Sequence, residues 1–266
     1  MLEPGSVQEV SRILALAHAH ALPVVPQGGN TGLVGGQTPM HGEIRLCLSR
    51  LVRVHAVDAA GYTMTVEAGL TLAEAQAVAE RVDRHFPLSL PSEGNCQIGG
   101  NLATNAGGAG VLAYGPARQL VLGLEVVLAD GRIWSGLKGL KKDNSGYHLK
   151  DLFIGSEGTL GVITAAVLKL FPKPAEKATA FVGLGALNDA LALFNLARDA
   201  AGQGLTAFEF MPRIALDFVL KHVAGTRDPF AVTHPWYVLL ETSGLKADGA
   251  AERLLLDVFE KAGEAG

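Results

Sequence analysis

The chain has 266 residues, of which 48% are apolar and 18% charged, and a formal net charge of −4. This balance is that of an ordered globular chain, long enough for one large or two medium domains with a sizeable core. The acidic balance argues against a nucleic-acid partner. No apolar run approaches a transmembrane span, and Leu2–Val10 is no signal peptide. The two cysteines, Cys47 and Cys96, give no disulfide framework and fit a reducing compartment, so the expected location is cytoplasmic.

In chain order, Val7–Ala21 carries apolar residues at helical spacing (Val10, Ile13, Leu14, Ala17) and predicts a helix. A short buried strand, LPVVP at 22–26, follows. EIRLCLS at 43–49 predicts a second strand, with Cys47 as an inert thiol inside it. Val54–Asp58 and Thr63–Ala68 alternate and form a strand pair across a turn at Ala60–Gly61. Thr71–Val82 opens with a Thr cap and has Glu74 at the third helical position, the pattern of a capping box. Leu120–Leu128 and Arg132–Ser135 predict strands joined by the Asp130–Gly131 turn. Val162–Phe171 is a further strand. The prolines of PKPAEK, Pro172 and Pro174, then mark a domain boundary. Beyond it, strands at Ala178–Leu184, Thr206–Met211 and Trp236–Thr242 alternate with helices at Leu187–Ala200, Ile214–His222 and Asp248–Ala262, with Asp248 as a cap. That alternation predicts an α+β sandwich with helices on one face.

Chemistry concentrates in two glycine-rich loops. Pro26–Gly36 reads PQGGNTGLVGG and Pro91–Gly108 reads PSEGNCQIGGNLATNAGG. The second places five glycines among short amide and hydroxyl side chains, a composition that excludes an ordinary helix or a buried strand. Glycines let backbone N–H groups approach a ligand closely, so two such loops point to a large phosphate-bearing cofactor. The first loop runs from strand to strand with the wrong glycine spacing, which excludes the dinucleotide fingerprint, and no Walker lysine follows either loop. A nest of backbone amides, with Asn30 and Thr31 as extra donors, can hold a diphosphate without a lysine or arginine. Each hydrogen bond to a charged oxygen contributes about 1.5–3 kcal/mol. The competing reading of each loop is a tight turn. Cys96, inside the second loop, is open to either a buried or a ligand-contacting reading.

The four segments LPVVPQGGNTGLVGG, PSEGNCQIGGNLATNAGGAGVLAYG, GLEVVLADGRIW and KKDNSGYHLKDLFIGSEGTLGVIT resemble the FAD-binding domain of the vanillyl-alcohol-oxidase (PCMH-type) flavoproteins. Within that superfamily they are most similar to the D-2-hydroxyacid dehydrogenase branch, which includes D-lactate dehydrogenases, D-2-hydroxyglutarate dehydrogenases and the glycolate oxidase D subunit. The resemblance covers nearly the whole chain. It implies an α+β fold. An FAD-binding domain over 1–174, in two α+β subdomains of about 1–67 and 68–174, would be followed by part of an antiparallel-sheet cap over 175–266.

Carried over residue by residue, the resemblance implies that Pro26, Gly28, Gly29, Asn30, Thr31 and Gly32 wrap the diphosphate of FAD, helped by Gly35 and Gly36. Pro91, Gly94, Gly99, Gly100, Asn101 and Thr104 would line the flavin and ribityl chain. Gly107, Gly108, Tyr114 and Gly115 would complete that wall, and Glu157, Gly158, Gly161 and Val162 would sit by the adenine-ribose half. Asn30 stands where relatives with covalent flavin carry a histidine, which implies noncovalent FAD. Ala106 stands at a position implied to hinder oxygen, favouring a dehydrogenase, with a plain small loop residue as the equal alternative reading. His148 replaces the aspartate of the relatives' GYDLK motif, and a surface histidine is the simpler reading. His18, His20, His222 and His234 lack metal-ligand spacing, so no metal site is expected.

The relatives' metal cluster and substrate-binding base have no counterpart here, so no catalytic residue is assigned, and the chain resembles an abbreviated member or a fragment. The implied reaction is oxidation of a small D-2-hydroxyacid, with hydride passing from its α-carbon to FAD and the hydroxyl proton to a base. The electron acceptor is not readable, and a homodimer or a partner subunit stays open. A flavin-binding module that needs a partner chain is the second reading, and a product that holds no cofactor the third.

Overall fold

The computed structural model describes residues 1–265; Gly266, the last residue of the expected cap segment, lies outside them. The first elements are α1 (Val7–Ala19), β1 (Val24–Gln27), β2 (Ile44–Cys47), β3 (Val54–Asp58), β4 (Thr63–Glu67) and α2 (Leu72–Glu80). Then come β5 (Arg84–His85), α3 (Ile98–Ala103), α4 (Val111–Tyr114), β6 (Val121–Val127), β7 (Ile133–Gly136) and α5 (Lys150–Phe153). They continue as β8 (Val162–Lys169), β9 (Phe171–Pro172), β10 (Glu176–Leu184), α6 (Leu187–Ala201), β11 (Leu205–Pro212), α7 (Arg213–His222), β12 (Trp236–Gly244) and α8 (Ala250–Ala265).

These elements form two compact units. The first comprises Met1–Gly108 and Gly115–Lys173; the second comprises Ala109–Tyr114 and the chain from Pro174 onward.

In the first unit, β1 and β2 pair in parallel, and a five-stranded antiparallel sheet runs in the order β3-β4-β8-β6-β7. β8 sits at its centre, and every residue of VITAAVLK but the terminal lysine is buried. Before that lysine the run is apolar except for Thr164, whose hydroxyl donates to Glu125 Oε1 at 2.8 Å, because neighbours flank it on both edges and both of its faces are covered. The α1 helix is capped by Ser6, whose hydroxyl accepts from Glu9 N at 3.2 Å. Its Ser11 donates to the carbonyl of Gly131 at 2.6 Å, fixing the helix on the β6–β7 turn. The sheet spans the expected subdomain division at 67/68, because β4 pairs with β8 across it.

One sequence expectation is overturned. The Pro91–Gly108 segment is not free of helix: α3 occupies Ile98–Ala103. Two adjacent glycines each cost roughly 1 kcal/mol in a helix. Tertiary contacts outweigh this, since Ile98 N donates to Leu70 O at 2.9 Å and Gly99 N to Ala68 O at 2.8 Å. A Cβ at Gly99 would stand 2.7 Å from Ala68 Cβ, so only glycine lets α3 seat there.

In the second unit, β12 lies between β10 and β11 in an antiparallel sheet. Alternate residues of the sheet (Leu205, Val238, Leu240) pack with Ala190, Leu193 and Ala197 of α6 and with Leu255 and Val258 of α8. α6 and α8 therefore cover one face, as the alternating pattern predicts, whereas α7 contributes nothing to this core and its Arg213 donates to the Tyr237 hydroxyl at 2.8 Å. Glu176 ties β10 to the start of α8, accepting from Gly249 N at 2.8 Å and Ala251 N at 2.7 Å. These backbone N–H groups, Ala251 foremost, hold its carboxyl below the ordinary range. A pKa lowered by folding contributes stability above the ordinary carboxylate value of about 4.3, and that stability is lost as pH falls through the lowered value. Thermal melts on descending from about pH 7 to about pH 3 are expected to fall more steeply for the wild type than for Glu176→Gln. Superimposed profiles would remove this role for Glu176.

Candidate functional site

Three loops of the first unit converge: 26–36 from the end of β1, 91–108 around α3, and 155–161 before β8. The contacts are close because glycines remove side chains where backbones meet. A Cβ on Gly28 would lie 3.3 Å from Gln97 Oε1 and 3.8 Å from Gly100 Cα. Gly29 is pressed against the carbonyl of Asn95, where a Cβ would overlap the oxygen. A Cβ on Gly36 would approach Glu157 Oε2 at 3.3 Å, and one on Gly158 would approach the Pro26 ring at 3.0 Å. Backbone hydrogen bonds join the second and third loops: Gly155 N to Leu102 O at 3.0 Å and Glu157 N to Ala103 O at 2.9 Å.

Each loop holds one non-glycine residue in the left-handed region: Asn30 at φ 56°, Asn105 at 48° and Glu157 at 53°. Asparagine tolerates that region best, and bulkier residues are strained there. Side chains stiffen the arrangement. Gln27 Nε2 donates to Gln37 O at 2.9 Å, and Gln37 Nε2 to Gly32 O at 2.8 Å, closing the first loop on itself. Arg118 ties the second loop to α5 and to the residue that leads into the third loop. Its backbone N–H donates to Asn105 Oδ1 at 2.9 Å, and its guanidinium donates to the Asp151 carbonyl at 2.7 Å and to the Ile154 carbonyl. It also faces the Asp151 carboxylate at 3.3 Å.

The glycines named from the sequence divide into two kinds. Gly29, Gly99, Gly108, Gly158 and Gly161 turn their bare faces to other protein atoms, so they serve close packing. Gly35, Gly94 and Gly100 have no atom within 4 Å of an added Cβ, so they border open space. Asn30, Thr31 and Gly32 lie on the first loop, and Val162 is buried at the start of β8. The Thr104 hydroxyl donates to Gly100 O at 3.0 Å. Pro91 and Gly107 are exposed, and Gly115 has φ 78° with its bare face toward Gln119. Tyr114, which the resemblance places in the flavin wall, groups with the second unit. Burial pushes its phenol up, opposed by a hydrogen bond with Ser243 and reinforced by Glu241. Cys96 is 2% exposed, which resolves the open reading of that thiol in favour of burial.

Sequence reasoning passed over Gln97 and Arg118. Among the described residues, the Gln97 Oε1 and Asn101 Nδ2 atoms are buried without a hydrogen-bond partner, beside the open-faced Gly100. A buried polar atom without a partner costs about 1–3 kcal/mol. Glycine faces open to space and two unpaired amide atoms fit a large polar cofactor seated among these loops.

Comparison with known proteins agrees with that fit. Residues 1–136 match the family described as FAD binding domain, and residues 173–266 match the C-terminal domain of FAD linked oxidases. The chain is 45% identical to the mitochondrial D-2-hydroxyglutarate dehydrogenase of Bos taurus over 254 residues, covering 96% of this chain and 46% of that protein. It is 40% identical to a putative mitochondrial D-lactate dehydrogenase of Schizosaccharomyces pombe, covering 98% of this chain and 50% of that protein. The chain thus spans about half the length of the curated relatives it matches. Its fold is similar to that of p-cresol methylhydroxylase, with a TM-score of 0.77 at 19% identity, covering 98% of this chain and 56% of that one. The cytoplasmic expectation is overturned, since these dehydrogenase relatives are mitochondrial proteins. The thiol count that suggested it reads only a reducing environment and does not identify a compartment.

Proposed function

The chain belongs to the FAD-binding-domain family, joined to an FAD-linked-oxidase C-terminal segment, and on that premise we propose that it serves the oxidation of a D-2-hydroxyacid. FAD is the cofactor and supplies the two-electron acceptor. The observation that carries this reading is the convergence of the three glycine loops, with the buried Gln97 Oε1 and Asn101 Nδ2 unpaired where the first and second meet. Backbone N–H groups of Gly28–Gly32, with Asn30 and Thr31, suit a diphosphate, because such oxygens only accept hydrogen bonds. Arg118 ties the second loop to the residue that leads into the third, and the packed glycines keep the first against the second. The similarity to the Bos taurus enzyme supports D-2-hydroxyglutarate as the first substrate to try, with D-lactate second and glycolate third.

Anaerobic addition of these acids to the flavin-loaded chain tests the proposal. Bleaching of the flavin absorbance by a D-acid, with its L-isomer inert, is the expected result. A chain that holds FAD but is bleached by none of them supports the second reading, a flavin-binding module that acts only with a partner chain. The electron acceptor and a homodimer or partner subunit belong to the same proposal, and light scattering of the purified chain reads its assembly.

Asn30 bears on how the cofactor is held. A carboxamide nitrogen is not a nucleophile, so the first loop offers no side chain to form a bond to the flavin ring. Acid precipitation of the loaded protein is expected to leave yellow flavin in the supernatant. Colour retained in the washed pellet would contradict noncovalent binding.

A further inference from the structure

We propose that the side-chain amides of Gln97 and Asn101 bind an uncharged, donor-bearing part of FAD, Gln97 as acceptor and Asn101 as donor. The inference rests on the FAD reading above and adds Gln97 to the residues that hold the cofactor. Gln97 occupies the cap position of α3, yet its side chain makes no capping hydrogen bond. Asn101 lies one helical turn later, and residues four apart share a helix face. Their backbones are engaged: Asn101 N donates to Gln97 O at 2.9 Å, and Asn101 O accepts from Ala106 N at 2.7 Å.

The side chains are another matter. Gln97 is 8% exposed and Asn101 5%, and Gln97 Oε1 and Asn101 Nδ2 have no partner among the described residues. Buried amides are otherwise paired in folded chains, so two unpaired atoms on one face mark a place that a ligand completes. The Gln97 carboxamide also lies over Gly28, at the start of the first loop. This places the pair where the first and second loops meet.

The polarity of the unpaired atoms narrows what they meet. Phosphate oxygens only accept, so they cannot satisfy Gln97 Oε1. A hydroxyl donates and accepts at once, and an imide edge presents an N–H beside a carbonyl. Both occur in the uncharged part of FAD, as the ribityl hydroxyls and the edge of the flavin ring.

The test uses the full chain stripped of flavin. Gln97→Met and Asn101→Leu replace each amide by an apolar group of similar size. Each is expected to leave the melting temperature of the flavin-free chain unchanged or raised, because it removes an unpaired buried atom. Each is also expected to weaken FAD binding, read by flavin fluorescence, by at least about tenfold. Gln97→Lys is expected to weaken binding as well. A shifted flavin reduction potential in Gln97→Met would assign the contact to the ring edge, and an unchanged one to the ribityl hydroxyls. Unchanged FAD affinity in both apolar variants overturns the proposal, as does a lowered flavin-free melting temperature that accounts for the loss. Tighter binding in Gln97→Lys would place a phosphate there and overturn it too. A wild-type chain that takes up no FAD would sink the cofactor reading itself, a result distinct from these.

Discussion

Gly100→Leu is expected to cut FAD affinity by on the order of a hundredfold, about 2.7 kcal/mol, while the flavin-free chain stays folded and melts no lower than the wild type. The two effects separate because Gly100 is a helix residue whose bare face borders open space. Nothing lies within 4 Å of an added Cβ, so a larger side chain meets no protein atom at its first carbon. Within α3, leucine is favoured over glycine by roughly 0.8–1 kcal/mol, which pushes the stability of the flavin-free chain upward. The same side chain fills the open volume that the bare face of Gly100 borders, on the helix that carries Gln97 and Asn101. If that volume belongs to the cofactor, the leucine and the flavin compete for it. Fluorescence titration with FAD and a thermal melt without it read the two effects independently. Wild-type affinity in a folded Gly100→Leu protein would mean that the cofactor lies elsewhere.

How much of this was legible in the residues depends on how local the cause is. The α2 cap was fully legible. Thr71 and Glu74 make the reciprocal pair their spacing announces, with Glu74 N donating to Thr71 Oγ1 at 3.2 Å and Thr71 N to Glu74 Oε2 at 3.1 Å. The β6–β7 hairpin was legible for the same reason, since Asp130–Gly131 needs a positive φ and Gly131 adopts 86°. The helix at Ile98–Ala103 was not, because local propensity opposes it and contacts to Ala68 and Leu70 decide the outcome. Nor was the pairing of β4 with β8, which joins residues about a hundred positions apart and leaves no periodic trace. The candidate site divides along the same line. Glycine-rich composition marks two of the loops before any fold is known. Which glycines pack and which border space is set by what the other loops bring to them. The aim of Gln97 and the reach of Arg118 to Asp151 and Ile154 are likewise products of the fold. Tyr114 shows the same dependence on the fold, since the segment Ala109–Tyr114 groups with the second unit although its neighbours in sequence group with the first.

Gly29→Ala is expected to do the reverse of Gly100→Leu: to destabilise the first unit by about 1–3 kcal/mol even without FAD, and to lose cofactor binding as a consequence. A methyl group at Gly29 would overlap the Asn95 carbonyl oxygen and stand 2.7 Å from its carbon and 3.0 Å from Cys96 Cα. None of these is the flexible end of a side chain, so relief requires backbone movement. The segment it presses on is poorly placed to give way. Asn95 N and Cys96 N both donate to Ser92 O, at 2.9 and 2.8 Å, and Leu72 N donates to Cys96 O at 3.0 Å, tying the loop to the capped start of α2. The first loop must therefore lift away from the second, carrying Asn30 and Thr31 out of register with Asn101 and Gln97. At roughly 2–4 °C per kcal/mol for a unit of this size, a fall of several degrees in the flavin-free melt is expected. The two glycine variants thus make opposite demands on one experiment. Reduced FAD binding should come with a lowered melting temperature in Gly29→Ala and without one in Gly100→Leu. An unperturbed melt in Gly29→Ala would show that the two loops do not meet at Asn95 in solution, and would remove the convergence on which the site is built.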